Sequence, residues 1–216
     1  KPVALNGVDQ IDIKDHLNGK LDQFGKSFWS IFQNNCHEIN NELKAFPIKS
    51  VAYSDRYLLN PAAALLLQEI IIELPFSISI KSRLSISSMK NEPPRYFENS
   101  RPIYKNWYPE EEFARQELLK HLYNENETFA SIDIEFESNR SHISHSRFLK
   151  IEFENGKTLT IRFDQGMGYW QVNAVDKYPF HAEIETQLSW IKQNKSSINI
   201  TNSQGHPTHI YVKLNG

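Results

Sequence analysis

The stretch His142-Ile-Ser-His145-Ser-Arg147-Phe-Leu-Lys-Ile-Glu-Phe-Glu-Asn155-Gly156-Lys-Thr-Leu-Thr-Ile-Arg162-Phe-Asp164-Gln165-Gly166-Met167-Gly168-Tyr169-Trp170 decides how this chain is read. Apolar and polar residues alternate from Arg147 to Phe153 and again from Thr158 to Phe163, the period of half-buried strands. Between them, Asn155-Gly156 is the dipeptide best suited to positive φ at both turn centres, so the two runs should close into a hairpin. One hairpin's length therefore carries His145, Arg147, Arg162 and a Gly-x-Gly backbone, a set that suits an anionic oxygen ligand better than a metal or an acyl group.

Outward from the hairpin, helical and extended patterns alternate. Leu17, Leu21, Phe24, Phe28, Ile31, Phe32, Ile39 and Leu43 recur at three- and four-residue steps, predicting one amphipathic helix or two split near Gly25. Ile48 to Tyr53 reads as a short strand. Asn60-Pro61 is a helix start, because Asn accepts from the first free amides and Pro fits the first helical position. The helix from Ala62 to Leu74 is apolar nearly all round and should be buried, while Phe76-Ser-Ile-Ser-Ile-Lys alternates as a half-buried strand. Glu110-Glu111-Glu112 opens another helix with negative charge at its positive end, and Ala114, Leu118 and Leu122 supply its stripe. Ile132 to Phe136 is a strand, Ile184, Leu188 and Ile191 mark a helix, and Ile210, Val212 and Leu214 a closing strand. This order predicts an α/β (α+β) sandwich with one mixed sheet flanked by helices.

Residues 89–109 hold Pro93, Pro94, Pro102 and Pro109 among Tyr96, Phe97, Tyr104, Trp107 and Tyr108, too many prolines for an element interior. A loop of this length with so many aromatics is either a packed Ω-loop or a surface that stacks on bases beside Arg95, Arg101 and Lys105. Docking of a partner protein through the 96–108 aromatics is a further reading.

The 216 residues suffice for one good core, and the expectation is a single domain over 1–216. A net charge of −2 gives no global basic field, so any anion site is a local patch. The single cysteine, Cys36, excludes an internal disulfide and a Cys-rich zinc site, fitting a reducing, cytoplasmic setting. No apolar run is long enough to span a bilayer, and no signal segment is seen. The start at Lys1 without Met suggests a domain cut from a longer polypeptide.

The motifs admit a functional and a plain reading side by side. Period-two alternation places His145 and Arg147 on one side of a strand, where imidazole and guanidinium can hold or attack a phosphoryl group; an exposed polar strand start is the alternative. His142 and His145 are conceivable metal ligands, yet no cysteine or closely spaced acid completes a shell, so neither metal nor cofactor is expected. Gly166-Met167-Gly168 lets a ligand approach main-chain amides, or else makes a tight bend with Tyr169 and Trp170 packed as core. Asp55 and Arg56 lie between a strand and a buried helix, where open α/β sheets place ligands, although Arg56 can equally be a structural ion-pair partner.

Ser54-Asp55-Arg56-Tyr57-Leu58, His145-Ser146-Arg147, the Asn155-Gly156 turn and Gly166-Met167-Gly168-Tyr169 together resemble degenerate members of the phospholipase D superfamily, in particular the C-terminal domain that follows MIT domains. The resemblance covers about a third of the chain and implies a phospholipase D-like sandwich. It also extends to bacterial helicase-associated and phage-defence proteins. Active members carry His-x-Lys with a nearby Asp, twice per site; here Arg147 stands for the Lys, Glu152 or Glu154 for the Asp, and there is one copy. The resemblance thus implies a non-catalytic module binding DNA or another phosphodiester through Arg147, Arg162, Gly166, Gly168, Asp55 and Arg56. Its enzymatic counterpart is a homodimeric, metal-independent phosphodiesterase with His145 as nucleophile.

Overall fold

A computed structural model describes residues 11–92, 102–173, 177–202 and 205–216. Among the described residues ten strands form two sheets. The larger has seven strands in the order β1-β10-β7-β6-β3-β4-β5, with β1 Ile11–Asp15, β3 Ile48–Ser54, β4 Ile78–Met89, β5 Ser131–Glu137, β6 Arg147–Phe153, β7 Thr158–Phe163 and β10 Thr208–Asn215. β3, β4 and β5 run parallel and the remaining pairs antiparallel, so the sheet is mixed. The β6–β7 hairpin turns at Gly156, whose φ is +85°. The smaller sheet has the order β2-β9-β8, from Gly19–Lys20, Asn199–Asn202 and Trp170–Asn173.

The described residues also form five α-helices: α1 Phe24–Asn35, α2 His37–Leu43, α3 Pro61–Ile72, α4 Glu112–Tyr123 and α5 Ile184–Asn194. Every α3 residue from Pro61 to Ile71 is buried, as its all-round apolar sequence requires. Its start is the Asn60 cap, whose Oδ1 accepts from the Ala63 amide at 2.8 Å. α3 packs against α1, α4 and the turn at 167–169. Phe28 stacks on Phe163 and Phe76 meets Phe153 edge-on, seating the helices on one face of the large sheet. The small sheet joins the same core through an edge contact of Phe24 with Trp170 and the Leu21 amide's bond to the Ile198 carbonyl.

Three expectations change. The chain has a second sheet where one was predicted, because Trp170–Asn173 and Asn199–Asn202 pair with each other and not with the large sheet. The amphipathic stretch breaks at Cys36, and Gly25 lies inside α1. A Cβ on Gly25 would stand 2.0 Å from the Glu69 carbonyl oxygen, so glycine is there to let α1 and α3 touch backbone to backbone. The strand beginning near Phe76 also runs on to Met89, and the cap of the described loop half packs inward, with Ile103 and Trp107 buried. Arg95, Tyr96, Phe97 and Arg101 fall outside the described residues.

The large sheet covers one face only among the described residues. Val51, Tyr53, Leu84, Ile86, Leu149, Ile151, Leu159, Ile161, Ile210 and Val212 are buried. The alternate positions, among them Ser50, Ser54, Ser85, Lys150, Thr160, Arg162 and Lys213, are half-buried or exposed.

Candidate functional site

Asp55 follows β3 directly and is fully buried. A buried carboxylate is tolerable only with its lone pairs satisfied. Tyr53 Oη donates to Oδ2 at 2.9 Å, the Met167 amide to Oδ2 at 3.1 Å and the Tyr57 amide to Oδ1 at 2.8 Å. Burial, and then the negative charge of Asp55, push the Tyr53 hydroxyl well above its ordinary pKa, keeping it a proton donor at neutral pH. Asp55 thereby ties the end of β3 to the glycine turn after β7.

Gly166 is required by this junction. A Cβ there would lie 2.5 Å from Asp55 Oδ2 and 3.1 Å from Arg147 Nε. Gly168 is different, because a Cβ there would meet only the Tyr57 carbonyl oxygen at 3.4 Å and Asn60 Nδ2 at 3.8 Å. The first glycine is structural; the second is exposed and floors an open hollow.

That hollow, about 410 Å³, is lined by Tyr57, Leu59, Asn60, Asn106, Arg147, Gln165, Gly166, Gly168 and Tyr169. Arg147 forms its cationic wall. Its Nη1 donates to the Asp164 carbonyl at 2.6 Å, its guanidinium lies 5.3 Å from the centre of the Tyr57 ring, and its Nε stands 3.8 Å from Asp55 Oδ1. At 3.8 Å the ion pair has no hydrogen bond, and Nε has no hydrogen-bond partner. With 13% of its side chain exposed, Arg147 is aimed and partly desolvated yet reaches the hollow.

The turn is not an open ring of amides. Met167 N is committed to Asp55 and Tyr169 N to the Gly166 carbonyl. Hydrogen-bonding capacity in the hollow comes instead from side chains: Arg147, and the Nδ2 end of Asn60, whose Oδ1 caps α3.

Four of the expected residues meet here: Asp55, Arg147, Gly166 and Gly168. The other three, Arg162, His145 and Arg56, lie outside this cluster. Arg162 pairs with Phe148, whereas Arg147 pairs with Phe163; directly paired residues share a face, so Arg162 and Arg147 point to opposite sides of the sheet. Arg162 stacks on Tyr211, 4.1 Å from its ring centre. His145 is exposed in a bend ahead of β6, which begins only at Arg147, so strand alternation does not carry it to the Arg147 side. Arg56 donates Nε to the Ile143 carbonyl at 2.8 Å and Nη2 to the Arg140 and Ile143 carbonyls, and so staples residues 140–143.

A missed residue holds the site from behind. Arg115 of α4 is fully buried and donates to the carbonyls of Leu58 at 2.6 Å and Met89 at 2.9 Å, and to Asn91 Oδ1 at 2.7 Å. Phe136 and Trp107 flank its guanidinium at 3.8 and 5.6 Å. Burial pulls its pKa down to about 9, leaving it charged at neutral pH. The Leu58 bond fixes the loop that carries Tyr57 and Asn60, and the Trp107 amide bonds the Leu59 carbonyl at 3.0 Å, bringing Asn106 alongside. The available signal is its position three and four residues before Leu118 and Leu119, on the apolar stripe.

Among the described residues no group of three or more His, Cys, Asp or Glu side chains is arranged to hold a metal ion, and no helix is long and apolar enough to cross a membrane. No curated protein matches the chain. The family model described as the DEAD/DEAH box helicase YjiV, C-terminal domain, matches residues 7–214. That match takes in both sheets, all five helices and the hollow, and by it the chain belongs to the family of YjiV helicase C-terminal domains.

Proposed function

We propose that this domain is a non-catalytic nucleic-acid-binding module of a larger helicase protein, and that the hollow holds one phosphodiester of the bound strand. The observation that carries the reading is Arg147: a guanidinium aimed by the Asp164 carbonyl and buried Asp55 into an open hollow floored by Gly168 and rimmed by Tyr57 and Tyr169. Membership of a helicase domain family supports it. So does the resemblance to degenerate phospholipase D-like domains, since three of the segments that carry it contribute Asp55 and Tyr57, Arg147, and Gly166 and Gly168.

The lining suits holding a phosphate rather than attacking it. Arg147 and Asn60 offer donors, while among the described residues no imidazole lines the hollow and Asp55 lies sealed beneath Gly166. The Arg147–Asp55 pair is formally neutral, so the phosphate is recognised by directed donors more than by net charge, as a backbone contact that positions a strand without reading its sequence.

Gly168→Leu tests this without touching the ion pair, because its side chain enters the hollow while Asp55 and Arg147 keep their contacts. Loss of a charge-assisted hydrogen bond is worth about 1.5–3 kcal/mol, so single-stranded DNA should bind about tenfold or more weakly. Unchanged affinity and salt dependence would remove the hollow as the phosphate site.

A further inference from the structure

The open face of the large sheet has a polarised pattern that the hollow does not use. One cross-strand row reads Asp12, Tyr211, Arg162, Phe148, Ser54, Ser87, Glu135, and the next Lys213, Thr160, Lys150, Ala52, Ser85, Asp133. In these two rows, Asp12 apart, cations and aromatics gather on β1, β10, β7 and β6, small side chains occupy β3 and β4, and acids stand on β5 at the far edge, while exposed Arg83 of β4 stands one row further on. Lys14, from the row beyond, adds to the basic side.

Within the basic half the acids have hydrogen-bond partners and the cations have no acidic ones. Glu152 is paired with Lys49 at 2.7 Å and accepts from Ser50, and Asp12 lies 3.1 Å from His209 Nδ1. Lys14, Lys150, Arg162 and Lys213 have no acidic partner among the described residues. Arg162 and Lys150 instead lie against rings: Arg162 over Tyr211, Lys150 Nζ 5.8 Å from the Phe148 ring centre. His209 stacks on Tyr211 at 5.9 Å, so the Tyr211 ring and the Arg162 guanidinium form a stiffened layered group.

We propose that β6, β7, β10 and β1 form a platform for single-stranded nucleic acid, with bases stacked on Phe148 and the Tyr211–Arg162 group and phosphates against Lys150, Lys213 and Lys14. The inference rests on the reading of the domain as a nucleic-acid-binding module, but the site is separate from the hollow. Stacking on a ring accepts any base, and a groove of cations tracks any backbone, so the platform is sequence-tolerant. Three strand spacings of about 4.8 Å make it roughly 14 Å wide, room for a strand to lie flat rather than for a duplex to enter. Arg162 between the rings, with Thr160 and Lys150 in the next row, leaves no continuous apolar centre of the kind a protein interface buries, and the unpaired cations call for a polyanion. Arg147 and Phe148 are consecutive, so platform and hollow meet at the same end of β6 on opposite faces.

The test is anisotropy titration of the 216-residue chain with a single-stranded DNA oligonucleotide carrying 2-aminopurine, across a range of salt. Phe148→Ser and Arg162→Ala should each weaken binding about fivefold or more, the loss expected for one stacked base. The double variant Lys150→Ala, Lys213→Ala should lower the salt slope by about 0.7 for each cation removed, and a duplex of the same sequence should bind more weakly than the single strand. The 2-aminopurine signal should change on binding to the wild type and not on binding to Phe148→Ser. All four side chains sit on the open face, so the variants should fold. Affinity, slope and signal equal to the wild type in every platform variant would overturn the platform. Gly168→Leu separates the two sites: loss of binding in that variant alone keeps the hollow and removes the platform, and loss in the platform variants alone does the reverse.

Discussion

Leu149, Lys150 and Ile151 are consecutive on one central strand, yet the first and third are fully buried and the second faces solvent. The two faces of the large sheet differ in this way along strand after strand. One face stacks Val51, Tyr53, Ile86, Leu149 and Ile161 beneath helices; the other exposes serines, threonines, lysines and arginines. The contrast divides labour. Stability resides on the covered face, the proposed platform lies on the open face, and the hollow sits where the strands end and the chain passes from one to the other.

Substitutions can break or sharpen that division. The largest effect is expected on the covered face: Leu149→Ala should cost about 2–5 kcal/mol in denaturant unfolding, whereas Lys150→Ala should stay within about 0.5 kcal/mol of the wild type. Comparable losses at both positions would show that the open face is covered too. Gly25→Ala comes next, at roughly 1–3 kcal/mol, because its Cβ would force the α1 and α3 backbones apart at Glu69. A thermal melt matching the wild type would mean that the helices do not meet there.

Arg115→Met probes the boundary between the two roles. It leaves the Leu58 and Met89 carbonyls and Asn91 without their donor, a cost of about 1–3 kcal/mol. It should also weaken oligonucleotide binding, because the Leu58 bond holds the loop bearing Tyr57 and Asn60. A stability loss with unaltered affinity would make Arg115 a core residue only. The smallest stability effect belongs to Arg162→Ala on the open face, within about 0.5 kcal/mol, and a larger loss would assign Arg162 a packing role beyond its contact with Tyr211.

The strands of the hairpin were legible to the residue, Arg147–Phe153 and Thr158–Phe163, because alternation is a local signal, whereas the positive φ expected at both Asn155 and Gly156 holds only at Gly156. The mixed sheet with its helices followed from the order of periods. The second sheet was not legible: strands of two and four residues carry too little pattern, and only their mutual pairing reveals them. Gly25 reads as a breaker in sequence because its reason, the Glu69 backbone, lies on another helix. At the site, Asp55, Arg147, Gly166 and Gly168 were marked by residue type and by their positions at strand ends. Arg162 was misplaced by one step of register, since Phe163, and not Arg162, stands opposite Arg147. Arg115 carried no motif, and a buried guanidinium served by carbonyls becomes visible only once three separate segments converge on it.

The central claim is that the Arg147 hollow holds a phosphodiester, and nitrogen-15 NMR of the 216-residue chain during titration with a short single-stranded oligonucleotide tests it most directly. Saturable shifts are expected of the Arg147 Nε–H and of the Gly166 and Gly168 amides, with the Arg56 Nε–H, fastened to the Ile143 carbonyl, unmoved. Oligonucleotide binding that leaves the Arg147 and Gly168 signals in place would contradict it.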